Sequence, residues 1–108
     1  MRLPEDATIA AAKLRDYLLT PKARNDKSKW LDQAGYSLDN WQQLETDLRQ
    51  QVLTQEAQLN ESNRYGDVYR IEARMSGPNS QQLAVVTIWM IEKESGETKF
   101  ITMYPLKE

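Results

Sequence analysis

The side chains of this sequence that stand out as candidates for chemistry are cations and phenols. Arg70 and Arg74 share one face of a strand-like run with Glu72 between them, while Lys99 and Tyr104 stand in the last such run. Guanidinium and ammonium groups hold an anion, a phosphate above all, and a neighbouring phenol can take or give a proton. The same alternation also suits a solvated face with cross-strand charge pairs, the usual arrangement of charges on strands. A second cationic group lies in PKARNDKSK, where Lys22, Arg24, Lys27 and Lys29 are opposed only by Asp26. Loops are where binding groups tend to sit, so this segment fits an acidic partner, a nucleic-acid backbone, or plain water. Tyr65 beside Gly66 is a further binding candidate, a ring that is either exposed at a turn or packed at a strand entry.

Composition closes off more classes than it opens. The 108 residues include no histidine and no cysteine, which removes disulfide scaffolds, thiolate zinc sites and histidine-based catalysis. No metal and no cofactor are expected. Fourteen basic and sixteen acidic residues give a net charge of -2, without the global basic excess of a dedicated nucleic-acid binder. The acids are scattered with no convergent pair for glycosidase chemistry, and the glycines form no phosphate-cradling motif. The stretch MRLPEDATIAAAKLRDYLL carries acids and a lysine inside its apolar pattern, unlike a signal peptide or a membrane span. A cytoplasmic protein without membrane contact is expected, folded as a single domain over 1–108.

The elements that must position these groups follow from periodicity. Pro4 to Leu19 is predicted as a first helix, with Pro4 early, Asp6 near its N-terminus, and Ala10, Leu14, Tyr17 and Leu18 at helical spacing. A short helix follows the basic loop as far as Ala34, apolar through Trp30 and Leu31. Ser37 is a capping residue for a third helix, with Tyr36 placed to pack on Trp41 as a hydrophobic staple. Trp41, Leu44, Leu48 and Val52 make the stripe by which that helix packs on a sheet.

Ala57 to Ser62 reads either as a polar first strand or as the frayed end of the third helix. Asn63 to Gly66 is a turn. From Asp67 to Ser76, Tyr69, Ile71, Ala73 and Met75 share a dry face. GPNS turns the chain at Gly77 to Ser80, and Leu83 to Ile91 is apolar on both sides, as in a central strand partly covered on its second face. Lys99 to Tyr104 closes the series before Pro105. Helices first and strands after predict an α+β domain, two or three helices packed on one face of a three- to four-stranded antiparallel meander. Trp30, Trp41 and Trp89 fall at periodic apolar positions and are predicted to be core.

The ordered set AAAKLRDYLLTPKARNDKSKWLDQAGYS, NWQQLETDL, RYGDVYRIEARMSGPN, TIWMIE and KFITMYP resembles a small bacterial domain family of unknown function. The likeness covers nearly the whole chain. It implies short stand-alone proteins encoded beside a second small protein, or terminal domains of toxin-like multidomain proteins, and it transfers no catalytic residue. On that resemblance the leading expectation is a non-enzymatic interaction domain with a small protein partner. The helix-helix-sheet order is also similar to small ribonuclease toxins of the RelE and colicin type, some of which work without histidine. That resemblance implies nucleic acid as the partner, with Lys29, Arg64, Arg70, Arg74, Lys99, Thr102 and Tyr104 as possible sources of the base, the acid and the cations for a growing phosphate charge. Homodimerisation through a sheet edge or through the second apolar face is the third expectation.

Overall fold

The computed structural model describes residues 1–24 and 26–107; Asn25, inside the predicted basic loop, and Glu108 lie outside the described residues. Helical segments precede a four-stranded sheet. Helix α1 spans Lys13–Leu18 and α2 spans Ser28–Asp32. Helix α3 is continuous through a 3-10 turn at Leu38–Asn40, an α-helical stretch at Trp41–Asp47 and a wider, π-type stretch at Leu48–Val52. Asn40 Oδ1 accepts from the Ser37 N–H at 2.8 Å, which fixes the entry to α3. Strands β1 (Gln58–Ser62), β2 (Gly66–Ser76), β3 (Gln82–Glu92) and β4 (Thr98–Pro105) pair antiparallel in that order. This is the α+β meander that the sequence pattern predicts, and the polar run after Ala57 is a strand rather than a frayed helix.

The first helix is shorter than its spacing suggests. Residues before Ala11 are not helical, because Thr8 joins the sheet: its N–H donates to the Thr98 carbonyl and its carbonyl accepts from the Phe100 N–H, both at 2.8 Å. Ala7 and Ile9 are buried with Thr8 exposed between them, a period of two that suits an extended chain. Pro4 and Asp6 therefore precede a strand-like segment, and β4 has its outer edge partly covered.

Side chains of Ile71, Met75, Val85, Trp89, Phe100 and Met103 form the dry face of the sheet, against Leu14, Leu18, Leu31, Leu44, Leu48 and Val52 from the helices. Trp89 meets Phe100 edge to face, with centroids 5.1 Å apart. Its indole N–H donates to Thr87 Oγ1 at 2.8 Å, and that hydroxyl donates to the Ile71 carbonyl at 3.3 Å, so burial strands neither group. Trp30 and Trp41 are only partly buried, at the margin of this core. Tyr36 is wholly buried, with its hydroxyl on Asp47, so its ring belongs to the centre of the core.

The turn between β2 and β3 is clamped to the turn that follows α2. A Cβ at Gly77 would lie 2.0 Å from the Ala34 carbonyl oxygen, so only glycine permits the approach. Asn79 completes the contact, its backbone N–H donating to Ala34 at 3.3 Å and its side chain to the Gln33 carbonyl at 2.9 Å.

Candidate functional site

Antiparallel register sorts the sheet's other face. Arg70 stands opposite Ile88, and Ile88 opposite Thr102; Glu72 likewise stands opposite Val86, and Val86 opposite Tyr104. Side chains two apart on a strand share a face, so Arg70, Glu72, Thr102 and Tyr104 come together on the side away from the helices. Val86 is buried there while Ile88 and Met90 are half-buried, the two-sided apolar character expected of a central strand.

The basic loop reaches this face at its β4 edge and brings Lys27 there. Lys27 Nζ donates to Thr102 Oγ1 at 3.0 Å and to Tyr17 Oη at 3.3 Å. The same ammonium lies 5.2 Å from the centroid of the Tyr17 ring and 6.0 Å from that of Tyr104, between two phenols. Lys22 Nζ stands over the Tyr17 ring at 4.1 Å. From β2, Arg70 directs NH1 toward the Tyr104 hydroxyl at 3.5 Å, while Glu72 accepts from its Nε at 2.9 Å and from its NH2 at 2.8 Å.

Tyr17 is electrostatically prepared. Hydrogen bonding by Thr102, then by Lys27, together with the charges of Lys27 and Lys22, holds its phenol below the ordinary tyrosine value against a smaller opposing effect of burial. Thr102 accepts from Lys27 with a lone pair, which leaves its own proton to turn toward the Tyr17 oxygen. A phenol whose ionisation is favoured by its neighbours is a candidate proton acceptor, and the ammonium groups of Lys27 and Lys22 beside it can hold an anion.

The site gathers some of the residues singled out from sequence and leaves others apart. Arg70, Tyr104, Thr102, Lys22 and Lys27 converge. Arg74 lies four residues along β2 from Arg70, opposite Ala84. Lys99 faces Glu92 at 3.2 Å and Glu97 at 3.9 Å near the start of β4, roughly 15 Å of strand from Tyr104. Arg24 is exposed in the loop. Lys29 lines a separate pocket of about 470 Å³ with Leu19, Pro21, Asp32 and Tyr36. Arg64 stacks over Tyr65 at 4.9 Å and donates to its hydroxyl at 2.8 Å on the hairpin between β1 and β2. Tyr65 is 62% exposed, while at the next residue a Cβ on Gly66 would lie 2.2 Å from the Ile91 carbonyl oxygen, so the strand entry admits only glycine there.

Tyr17 is the member that sequence reasoning missed, since its helical spacing with Leu14 and Leu18 reads as core. The available signal was the pair Lys22 and Lys27, close behind it in the chain. Among the described residues no cluster of three or more acids is placed to hold a metal ion, and no helix is long and apolar enough to cross a membrane. No curated protein and no solved structure matches this chain significantly. Residues 2–107 do match one family, described as a domain of unknown function (DUF6883). Because that match spans nearly its whole length, the chain belongs to the DUF6883 family.

Proposed function

We propose that this protein is a histidine-independent endoribonuclease whose site is built on Lys27. The carrying observation is the position of that ammonium, bonded to Tyr17 and within 6.0 Å of the Tyr104 ring. A phosphodiester seated on Lys27 and Arg70 has one phenol on either side, as an in-line displacement needs. Tyr17 as phenolate takes the proton of the 2'-hydroxyl. The 2'-oxygen then bonds to phosphorus, the bond from phosphorus to the 5'-oxygen breaks, and Tyr104 protonates the departing oxygen. The products are a 2',3'-cyclic phosphate and a 5'-hydroxyl. Lys27 and Arg70 stabilise the charge that accumulates on the phosphate oxygens. Incubation of the purified chain with single-stranded RNA, with end groups identified, tests this directly. Cyclic phosphate ends that disappear in Tyr17→Phe are the expected result, and intact RNA at micromolar protein sinks the reading.

A partner-binding role has its own support in the hairpin tip. Tyr65 is exposed with Arg64 stacked on it, and these are residue types that anchor protein interfaces. On this second reading the partner is a small protein of a bacterial two-gene or toxin-related module, acting in the cytoplasm. Co-expression with the product of an adjacent gene, followed by size-exclusion chromatography, decides it: separate elution at micromolar concentration counts against a partner. Light scattering of the isolated chain distinguishes a homodimer.

A further inference from the structure

Beside Tyr17 lies a pocket of about 540 Å³ that the cleavage steps leave unused. Its walls are Ala10, Ala12, Lys13, Tyr17, Ile101 and Thr102. Small side chains at Ala10 and Ala12 make the room on one side. On the other, the register between β3 and β4 slips so that Ile88 faces Thr102 while Trp89 faces Phe100, leaving Ile101 as an extra residue. Bulges of this kind re-aim side chains and often lie next to functional sites. The volume falls within the range of small-molecule sites, and the lining combines apolar walls with few polar groups. Tyr17 and Thr102 belong to both this pocket and the Lys27 cluster, so one ligand can occupy both.

We infer that this pocket receives a nucleobase, guanine in preference to adenine, on the 5' side of the phosphate held by Lys27. This inference rests on the ribonuclease reading above. A base is flat and apolar on its faces and polar at its edge, which suits walls of alanine, isoleucine and a tyrosine ring. Lys13 supplies the edge contact. Its ammonium makes no hydrogen bond or ion pair among the described residues, and an ammonium only donates. Guanine offers it two adjacent acceptors, O6 and N7, whereas adenine replaces O6 with an amino donor. A guanosine 3'-phosphate therefore spans from Lys13 to Lys27 across the Tyr17–Thr102 wall.

The test is titration of the full chain with guanosine 3'-monophosphate, adenosine 3'-monophosphate and inorganic phosphate, followed by calorimetry. Base contacts should make the guanosine nucleotide bind about tenfold tighter than phosphate, and adenosine should fall between them. Ala12→Trp fills the pocket from an exposed position and should abolish the nucleotide's advantage while leaving phosphate binding unchanged; circular dichroism verifies its fold. Lys13→Met should equalise guanosine and adenosine and also spare phosphate. Equal affinities for the three ligands overturn the pocket assignment, even if RNA is cleaved, and so does a nucleotide preference that survives Ala12→Trp. A guanosine preference lost in Ala12→Trp but accompanied by no RNA cleavage upholds the pocket and removes the ribonuclease reading instead.

Discussion

Tyr36 and Tyr17 carry the same phenol into opposite surroundings. The Tyr36 ring is wholly buried, its hydroxyl donating to Asp47 Oδ2 at 2.5 Å and lying 3.3 Å from the Ser76 carbonyl oxygen. Burial first, then the Asp47 carboxylate, push its ionisation well above the ordinary tyrosine range. Asp47 is satisfied in turn by Gln43, whose side-chain amide donates to Oδ1 at 2.9 Å. Tyr17 is only half-buried, and its neighbours are Thr102 and two lysines, so its ionisation is favoured. On the helical side of the sheet a phenol is a permanent neutral donor that closes a buried network. At the edge of the other face it is a group prepared to change charge. Local fields, rather than residue type, decide which way a tyrosine's ionisation moves.

Removing each hydroxyl is the sharpest way to break this contrast. Tyr17→Phe should lower RNA cleavage by about 100- to 10,000-fold, the usual range for a lost general base, while urea unfolding shifts by less than about 0.5 kcal/mol. Retained cleavage would remove Tyr17 from the chemistry. Trp89→Ala should act in the reverse sense, costing about 3–5 kcal/mol in urea unfolding because a large ring leaves a closed core. Tyr36→Phe should cost about 1–3 kcal/mol, since Asp47 loses a buried donor, with no effect on cleavage by the folded fraction. If Tyr36→Phe proves neutral, the buried network is not what holds α3 to the sheet.

The finest test is titration. Because the Tyr17 value is depressed in the folded state, its ionisation adds stability that is complete above the unfolded tyrosine value of about 10 and is lost as pH falls through the folded value. Tyr36 runs the other way: its contribution is intact below about pH 10 and is lost as pH rises beyond it. Lys27→Met removes a charge and a donor from Tyr17. The earliest tyrosinate absorbance should therefore move to higher pH, and the rising limb of the cleavage-pH profile should move with it. An unmoved first titration would show that Thr102 and Lys22 suffice.

Strand pairing and the dry face were legible in the residues because alternation is a local property. Tyr69, Ile71, Ala73 and Met75 declare one face, and the apolar run at 83–91 declares a strand covered on both. The start of α1 was misread because Ala10, Leu14 and Leu18 keep helical spacing while Thr8 finds backbone partners in β4, which lie ninety residues away. A ladder hydrogen bond of that range leaves no mark in local periodicity. Gly77 was legible as a turn but not as a contact, for its partner Ala34 belongs to another element.

The candidate site shows the same division. Residue types in the sequence ruled out histidine and cysteine chemistry and pointed to cations and phenols as the candidates, and strand alternation put Arg70 apart from the dry face. Only the tertiary structure chose among the cations. It left Lys99 with Glu92, Lys29 by a different pocket and Arg64 on Tyr65, and it brought Lys27 across to Thr102 with Tyr17 beside it. The physical reason is range. A side chain's chemistry is carried by its own atoms, but its ionisation and its partners depend on charges a few ångströms away in space, supplied by segments that the chain order keeps far apart.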